Sequence, residues 1–81
     1  MRKFHIFSAK HIGWEPLYDY IPFPVDEFSK EEAEKQFMPV EKYTTKNNGE
    51  TYPYTAYQYD NTDYYSVIYL GIKTEEEYNR L

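Results

Sequence analysis

The chain has 81 residues, a formal net charge of −5 and no cysteine. The missing thiols exclude disulfides, thiolate metal ligands and cysteine nucleophiles, and the length allows one domain, residues 1–81, with a small core. Aromatic residues make up 21% of the chain, so rings must supply most of the buried apolar area. Most of the tyrosines crowd into one stretch: Tyr43, Tyr52, Tyr54, Tyr57, Tyr59, Tyr64, Tyr65 and Tyr69.

The first third of the chain predicts a strand followed by an extended connection. Residues 2–8 alternate as a β-strand requires, with apolar side chains on both faces, and Gly13 then permits a turn. Prolines interrupt residues 13–27 and exclude a long helix or a central strand there. We expect this segment to lay large side chains, Trp14 among them, over the core, with room for a short strand at Leu17–Ile21.

The main helix is predicted to begin at Ser29. Ser29 and Glu32 have the spacing of a capping box, in which each side chain satisfies a free backbone amide of the first turn. Pro39 cannot continue a helix, and a residue that precedes proline avoids the α region. We therefore expect Met38 to be the last or next-to-last helical residue.

After Pro39 the sequence pattern changes to a period of two, which predicts a β-hairpin. Its strands are Val40–Thr45 and Glu50–Tyr59, and Asn47-Asn48-Gly49 supplies turn residues that tolerate a positive φ. Pro53 indicates an edge strand or an unpaired amide. In the second strand the rings change phase, because Tyr52 and Tyr54 fall on one face and the next two tyrosines on the other. Only a β-bulge near Thr55-Ala56 would bring all four rings to the same side.

The remaining segments complete the predicted fold. Asp60–Asp63 forms a second turn, Tyr64–Lys73 is the most hydrophobic strand and should lie centrally, and a capping box from Thr74 to Glu77 opens a short C-terminal helical turn. The expected fold class is α+β: a small two-layer domain with an antiparallel sheet of three to four strands, covered on one face by one main helix.

Catalytic motifs are not found in the sequence. It contains no nucleophile elbow, no phosphate-binding glycine loop and no paired-histidine metal motif. His5, His11 and Lys10 could in principle carry out acid–base chemistry on a phosphodiester, as in a small histidine-dependent nuclease. The simpler interpretation places His5 on a strand face and His11 in the following turn. We therefore expect a protein that is not an enzyme and that binds no cofactor and no metal.

No apolar run approaches the length needed to cross a bilayer, and Lys10 and His11 interrupt the apolar part of the basic N-terminus. These features predict a cytoplasmic protein.

Acidic side chains cluster at the start of the main helix. Two interpretations stay open: a solvated face, partly neutralised by i,i+4 pairs such as Lys30 with Glu34, or an acidic face that occupies a nucleic-acid-binding channel of another protein. The tyrosines could stack on bases, but the overall negative charge disfavours direct nucleic-acid binding. Tyrosine is also enriched among residues that dominate protein–protein interfaces.

The sequence therefore predicts a small acidic, Tyr-rich protein-binding module. Its expected role is that of an inhibitor of the anti-defence type encoded by phages or mobile elements, acting in the host cytoplasm on a nuclease or other nucleic-acid-binding enzyme, with no direct nucleic-acid or membrane contact. The alternative is a non-catalytic accessory or structural protein that self-associates, as a homodimer for example, through a Tyr-rich edge strand. The predicted partner-binding residues are Glu27, Glu31, Glu34, Asp60, Asp63, Tyr57 and Tyr59.

Overall fold

The computed structural model describes residues 2–13 and 15–81, so Trp14 and its expected place over the core lie outside the described residues. Strands account for 58% of the structure and helices for 13%. The elements in chain order are β1 (Lys3–His11), β2 (Tyr18–Pro24), α1 (Lys30–Glu34), β3 (Met38–Thr45), β4 (Thr51–Tyr59), β5 (Thr62–Thr74) and α2 (Glu75–Asn79).

All five strands form one antiparallel sheet in the order β2-β1-β5-β4-β3. The central place of β5 and the meander from β3 to β5 agree with the sequence prediction. The predicted fold class is wrong, because the sheet has five strands and is accompanied only by short helices rather than covered by one main helix.

The main helix is much shorter than predicted. Ser29 forms the expected capping box with Glu32, but α1 has only five residues. The amides of Gln36 and Phe37 bond to carbonyls three residues back, which closes the helix with tighter turns. Met38 then pairs with Gln58 as the first residue of β3 rather than ending a helix. Such a short helix is not stable alone, so tertiary pairing of the following residues determines where it ends.

The proline-rich connection contains a full strand. The expected short strand at Leu17–Ile21 is instead the seven-residue β2, Tyr18–Pro24, which pairs with β1 along its whole length. Pro22 and Pro24 are tolerated because β2 lies at the edge of the sheet, where one side of the strand needs no donors.

Both predicted hairpins form. The β3–β4 register runs without a shift from Met38↔Gln58 to Thr45↔Thr51, so β4 has no bulge and its two pairs of tyrosines lie on opposite faces. The turn between β4 and β5 is tighter than the four residues expected. Tyr59 pairs with Thr62 across Asp60 and Asn61, whose φ angles of 48° and 61° are those of a type I′ turn.

One face of the sheet, termed the covered face, carries the core. Segment 28–37 packs on it, and four rings interlock at its centre. The Phe7 ring lies 5.7 Å from that of Phe23 and 5.3 Å from that of Phe37, and Tyr59 lies 5.1 Å from Phe37. Aromatic residues thus supply most of the core, as the composition requires.

The opposite side of the sheet, termed the open face, is covered only at one corner. There Tyr78 of α2 reaches across β1. Its ring lies 6.5 Å from that of Phe4, and its hydroxyl donates to the carbonyl of Tyr20 at 3.0 Å. Ile6, which has no exposed surface, lies on this face between those two contacts.

The molecule is elongated, with extents of 54 × 24 × 19 Å and a radius of gyration of 14.9 Å. A compact domain of this length has a radius of gyration of about 12 Å. The excess reflects the β3–β4 ribbon, which is joined to the rest of the sheet by only three residue pairs between β4 and β5.

Candidate functional site

The central strand β5 has a free edge over most of its length. β1 pairs with it from Lys3↔Thr74 to His11↔Tyr64. On the other side, β4 pairs only with residues 62–64. Along residues 65–74 the side of β5 that faces away from β1 therefore pairs with no other strand of residues 2–13 and 15–81. This side is termed the free edge of β5.

A β-bulge separates the two parts of β5. The register with β1 shifts between Lys10 and His11, which leaves Tyr65 as the extra residue, and it shifts again between Ile6 and Phe7. Bulges bend a strand and increase its twist. The first bulge lies where β4 leaves β5, so it marks the point at which the free edge begins.

The free edge carries large apolar side chains in solvent. Ile68, Leu70 and Ile72 are 59%, 38% and 54% exposed. A long edge with unpaired backbone groups and apolar side chains is a template for pairing with another strand, and natural proteins usually protect such edges with charges or prolines. No proline occurs in β5, and Lys73 is its one basic residue.

A cleft of about 190 Å³ opens beside this edge, between β4, β5 and α1. Its floor is aromatic and apolar, and Glu34 is its one ionisable carboxylate. Lys30 stands next to it, with its ammonium 3.5 Å from the Glu34 carboxylate and 5.0 Å from the Tyr69 ring centre. The lining residues are Phe7, Glu34, Phe37, Tyr57, Val67 and Tyr69.

Two of the predicted binding residues, Glu34 and Tyr57, meet at this cleft. Tyr59 packs against the core, with its ring 5.6 Å from that of Phe23. Glu31 is exposed on α1, and Glu27 is exposed with a carboxylate oxygen 3.7 Å from Arg2.

The other two predicted residues lie elsewhere. Asp60 is exposed in the β4–β5 turn. Asp63 lies on the open face, where one carboxylate oxygen is 2.5 Å from the Lys42 ammonium. This hydrogen bond raises the pKa of Lys42. The seven predicted residues therefore do not form one surface.

The two histidines do not converge. They are six residues apart on β1, a separation of about 20 Å. His5 is buried, and its ring nitrogens contact the Tyr69 hydroxyl and the Phe28 carbonyl at 3.0 Å each. Lys10 lies on the face of β1 opposite to that of His5. The contacts of His5 connect segment 28–37 to the sheet.

His11 belongs to a hydrogen-bonded group at the other end of β1. Its Nε2 lies 2.7 Å from a carboxylate oxygen of Asp19, and the Tyr64 hydroxyl donates to the same oxygen at 2.8 Å. Burial, with the carboxylate as a second cause, raises the pKa of Tyr64 to about 12. The hydrogen bond from Tyr64 lowers the pKa of Asp19, and the contact with His11 lowers it further.

Within residues 2–13 and 15–81, no three histidine or carboxylate side chains gather closely enough to hold a metal ion. The two helices of this described part have five residues each, far fewer than a membrane-spanning helix requires. Comparisons of the chain with known protein families, curated proteins and solved structures find no match.

The free edge of β5 is the feature that sequence reasoning missed. The sequence predicts a hydrophobic central strand, and a strand in that position is ordinarily paired on both sides. A signal was present in the apolar residues Ile68, Leu70 and Ile72, which recur at every second position through a strand that also carries buried rings.

Proposed function

We propose that this protein is a non-catalytic module that binds another protein by adding a strand of that partner to the free edge of β5. The observation that supports this most directly is the stretch 65–74, which is bonded to β1 on one side only. In strand addition the backbone hydrogen bonds provide affinity, and pockets for alternate side chains provide specificity.

The adjacent cleft supplies such a pocket. A partner strand along β5 would place alternate side chains on the covered-face side, next to Tyr57, Val67 and Tyr69. Glu34 at the same cleft is exposed and lies 3.5 Å from the Lys30 ammonium, so a basic side chain on the partner would have to replace Lys30 at this carboxylate.

The proposed role is inhibition of a basic nucleic-acid-binding enzyme in the cytoplasm, the host cytoplasm if the chain is phage-encoded. Glu27, Glu31 and Glu34 all lie between the end of β2 and the end of α1 and are exposed, although Glu27 is paired with Arg2 and Glu34 with Lys30. If they contribute by charge, the affinity should fall as salt rises, because exposed charges are screened over about 10 Å at 0.1 M salt.

A single-residue change at the edge tests the proposal. Ile68→Lys places a charge on the free edge of β5, and Met38→Lys is its matched control because both side chains are 59% exposed. Both variants should keep their stability within about 0.5 kcal/mol, as exposed substitutions usually do. In affinity capture with identification of the bound protein, Ile68→Lys should lose the partner recovered by the unmodified chain, and Met38→Lys should retain it. Equal capture by both variants would exclude the β5 edge.

A second candidate function is self-association through the Tyr-rich ribbon. Residues 51–56 of β4 pair with β3 alone, so this half of the strand also has an unpaired side, and Tyr52, Pro53 and Tyr54 lie within it. Sedimentation over a range of protein concentrations distinguishes the two candidates. A salt-resistant homodimer that Tyr54→Lys dissociates would favour self-association, and a monomer at all concentrations would favour the partner protein.

A further inference from the structure

The open face carries a continuous series of rings and ammonium groups. Tyr18 on β2 pairs with Lys10 on β1, and the Lys10 ammonium lies 5.6 Å from the centre of the Tyr65 ring. Tyr65 lies 6.4 Å from Tyr54. Next along the ribbon comes Tyr52, with the Lys46 ammonium 3.7 Å from its ring centre. This series, termed the Tyr–Lys track, consists of Tyr18, Lys10, Tyr65, Tyr54, Tyr52 and Lys46.

The local charge of the track is opposite to that of the whole chain. Neither Lys10 nor Lys46 has a carboxylate within salt-bridge distance among the described residues. The carboxylate nearest the track along β5, that of Asp63, is paired with Lys42. The acidic residues around α1 belong to the segment that packs on the covered face. A net charge of −5 therefore coexists with two track lysines that form no salt bridge within the described residues.

The spacing of the rings suits an extended polymer of flat groups. Tyr52 and Tyr54 are alternate residues of one strand, about 6.8 Å apart, and the step from Tyr54 to Tyr65 is 6.4 Å. Consecutive nucleotides of an extended single strand are separated by similar distances. Each lysine that rests on a ring can move to a phosphate when a base takes its place on the ring, because both positions satisfy its charge.

We propose that the Tyr–Lys track binds single-stranded nucleic acid, with bases stacked on Tyr52, Tyr54 and Tyr65 and phosphates contacted by Lys10 and Lys46. This proposal differs from the sequence prediction that the chain makes no direct nucleic-acid contact. That prediction rests on the total charge, which does not show the face on which each charged residue lies. This site lies on the open face and does not depend on strand addition at β5, so either proposal can fail without the other.

Fluorescence anisotropy with labelled oligo(dT) and oligo(U) tests the site. Probes of about 12 nucleotides are within the length range that single-strand-binding surfaces cover. Two phosphate contacts predict that log K falls with log salt concentration with a slope of about −1.4. The double variant Lys10→Glu/Lys46→Glu should abolish binding, and Lys35→Glu, at the C-cap of α1, is its control. Tyr65→Leu should weaken binding about 10-fold, because it removes one of the rings on which a base stacks.

The tyrosine control is Tyr43→Leu, because Tyr43 is at least as exposed as Tyr65 but points to the other side of the ribbon. Binding that is lost in the track variants and kept in both controls supports the proposal, whether the DNA or the RNA probe binds better. Three results would overturn it: no binding of either probe at low salt, equal affinity for polyglutamate, or equal losses in the track and control variants. Polyglutamate supplies negative charge without rings, so its equal binding would show a site for polyanions or acidic proteins only.

Discussion

At the scale of single residues, Tyr64 connects the core to the edge of the sheet. Its ring is buried against the core cluster, and its hydroxyl donates to Asp19 on the edge strand β2. This hydrogen bond favours the neutral phenol and the charged carboxylate. It therefore adds to the effect of burial in raising the pKa of Tyr64, and it lowers the pKa of Asp19. The sequence contained both residues, but nothing in their spacing along the chain indicated that they meet.

Burial of Tyr64, together with its hydrogen bond to Asp19, predicts a specific loss of stability at high pH. The pKa of Tyr64 rises from an ordinary 10.0 to about 12 in the folded state. The contribution of Tyr64 to the free energy of unfolding is therefore fully present below pH 10 and is lost as the pH rises towards 12. The pKa of Asp19 is lowered instead, so its contribution is present above its ordinary value of 3.8 and is lost as the pH falls below it.

Tyr64→Phe should cost about 2 kcal/mol at neutral pH, since it removes a hydrogen bond to a charged group. It should also flatten the decline in stability between pH 10 and 12. Urea unfolding as a function of pH measures both effects, with Tyr43→Phe as the control at an exposed site. An equal alkaline decline in the Tyr64 and Tyr43 variants would contradict the burial and hydrogen bonding assigned to Tyr64.

At the scale of elements, the sequence predicts the helix caps correctly but not the residues at which helices and strands begin and end. Capping boxes at Ser29 and Thr74 both form because they depend on residues three apart in sequence. The residues after α1 instead pair with β4, beginning at Met38 and Gln58, and this pairing determines where the helix ends. The bounds of β2 depend in the same way on its pairing with β1. For this reason the prolines predicted correctly that β2 is not a central strand, but they did not show that it is a strand at all.

The β4–β5 turn gives a prediction at this scale. Asn61 has a φ of 61°, a left-handed conformation that asparagine tolerates and a β-branched residue does not. Asn61→Val should lower the free energy of unfolding by about 1 to 2 kcal/mol. Asn47→Val in the other hairpin turn is the control, because Asn47 does not have a positive φ. Chemical denaturation compares the two, and equal effects would mean that strain at Asn61 is not the cause.

At the scale of the whole molecule, function depends on what the sheet leaves uncovered. The composition predicted a core of rings, and the core cluster is indeed largely aromatic. Composition could not show that β4 leaves β5 after three residue pairs, because that depends on the bulge at Tyr65 and on how the ribbon bends. The predicted site residues were selected by type, and their grouping required the strand order, which brings Glu34 to Tyr57 but leaves Asp63 on the other face.

The central proposal, strand addition at β5, is tested most directly by hydrogen exchange of the backbone amides of residues 65–74. In the free chain, amides on the side away from β1 should exchange rapidly while their neighbours that bond to β1 are protected. In the captured complex these rapidly exchanging amides should become protected. The proposal would be contradicted if they are already protected in the dilute free chain, or if their exchange is unchanged when the partner is bound.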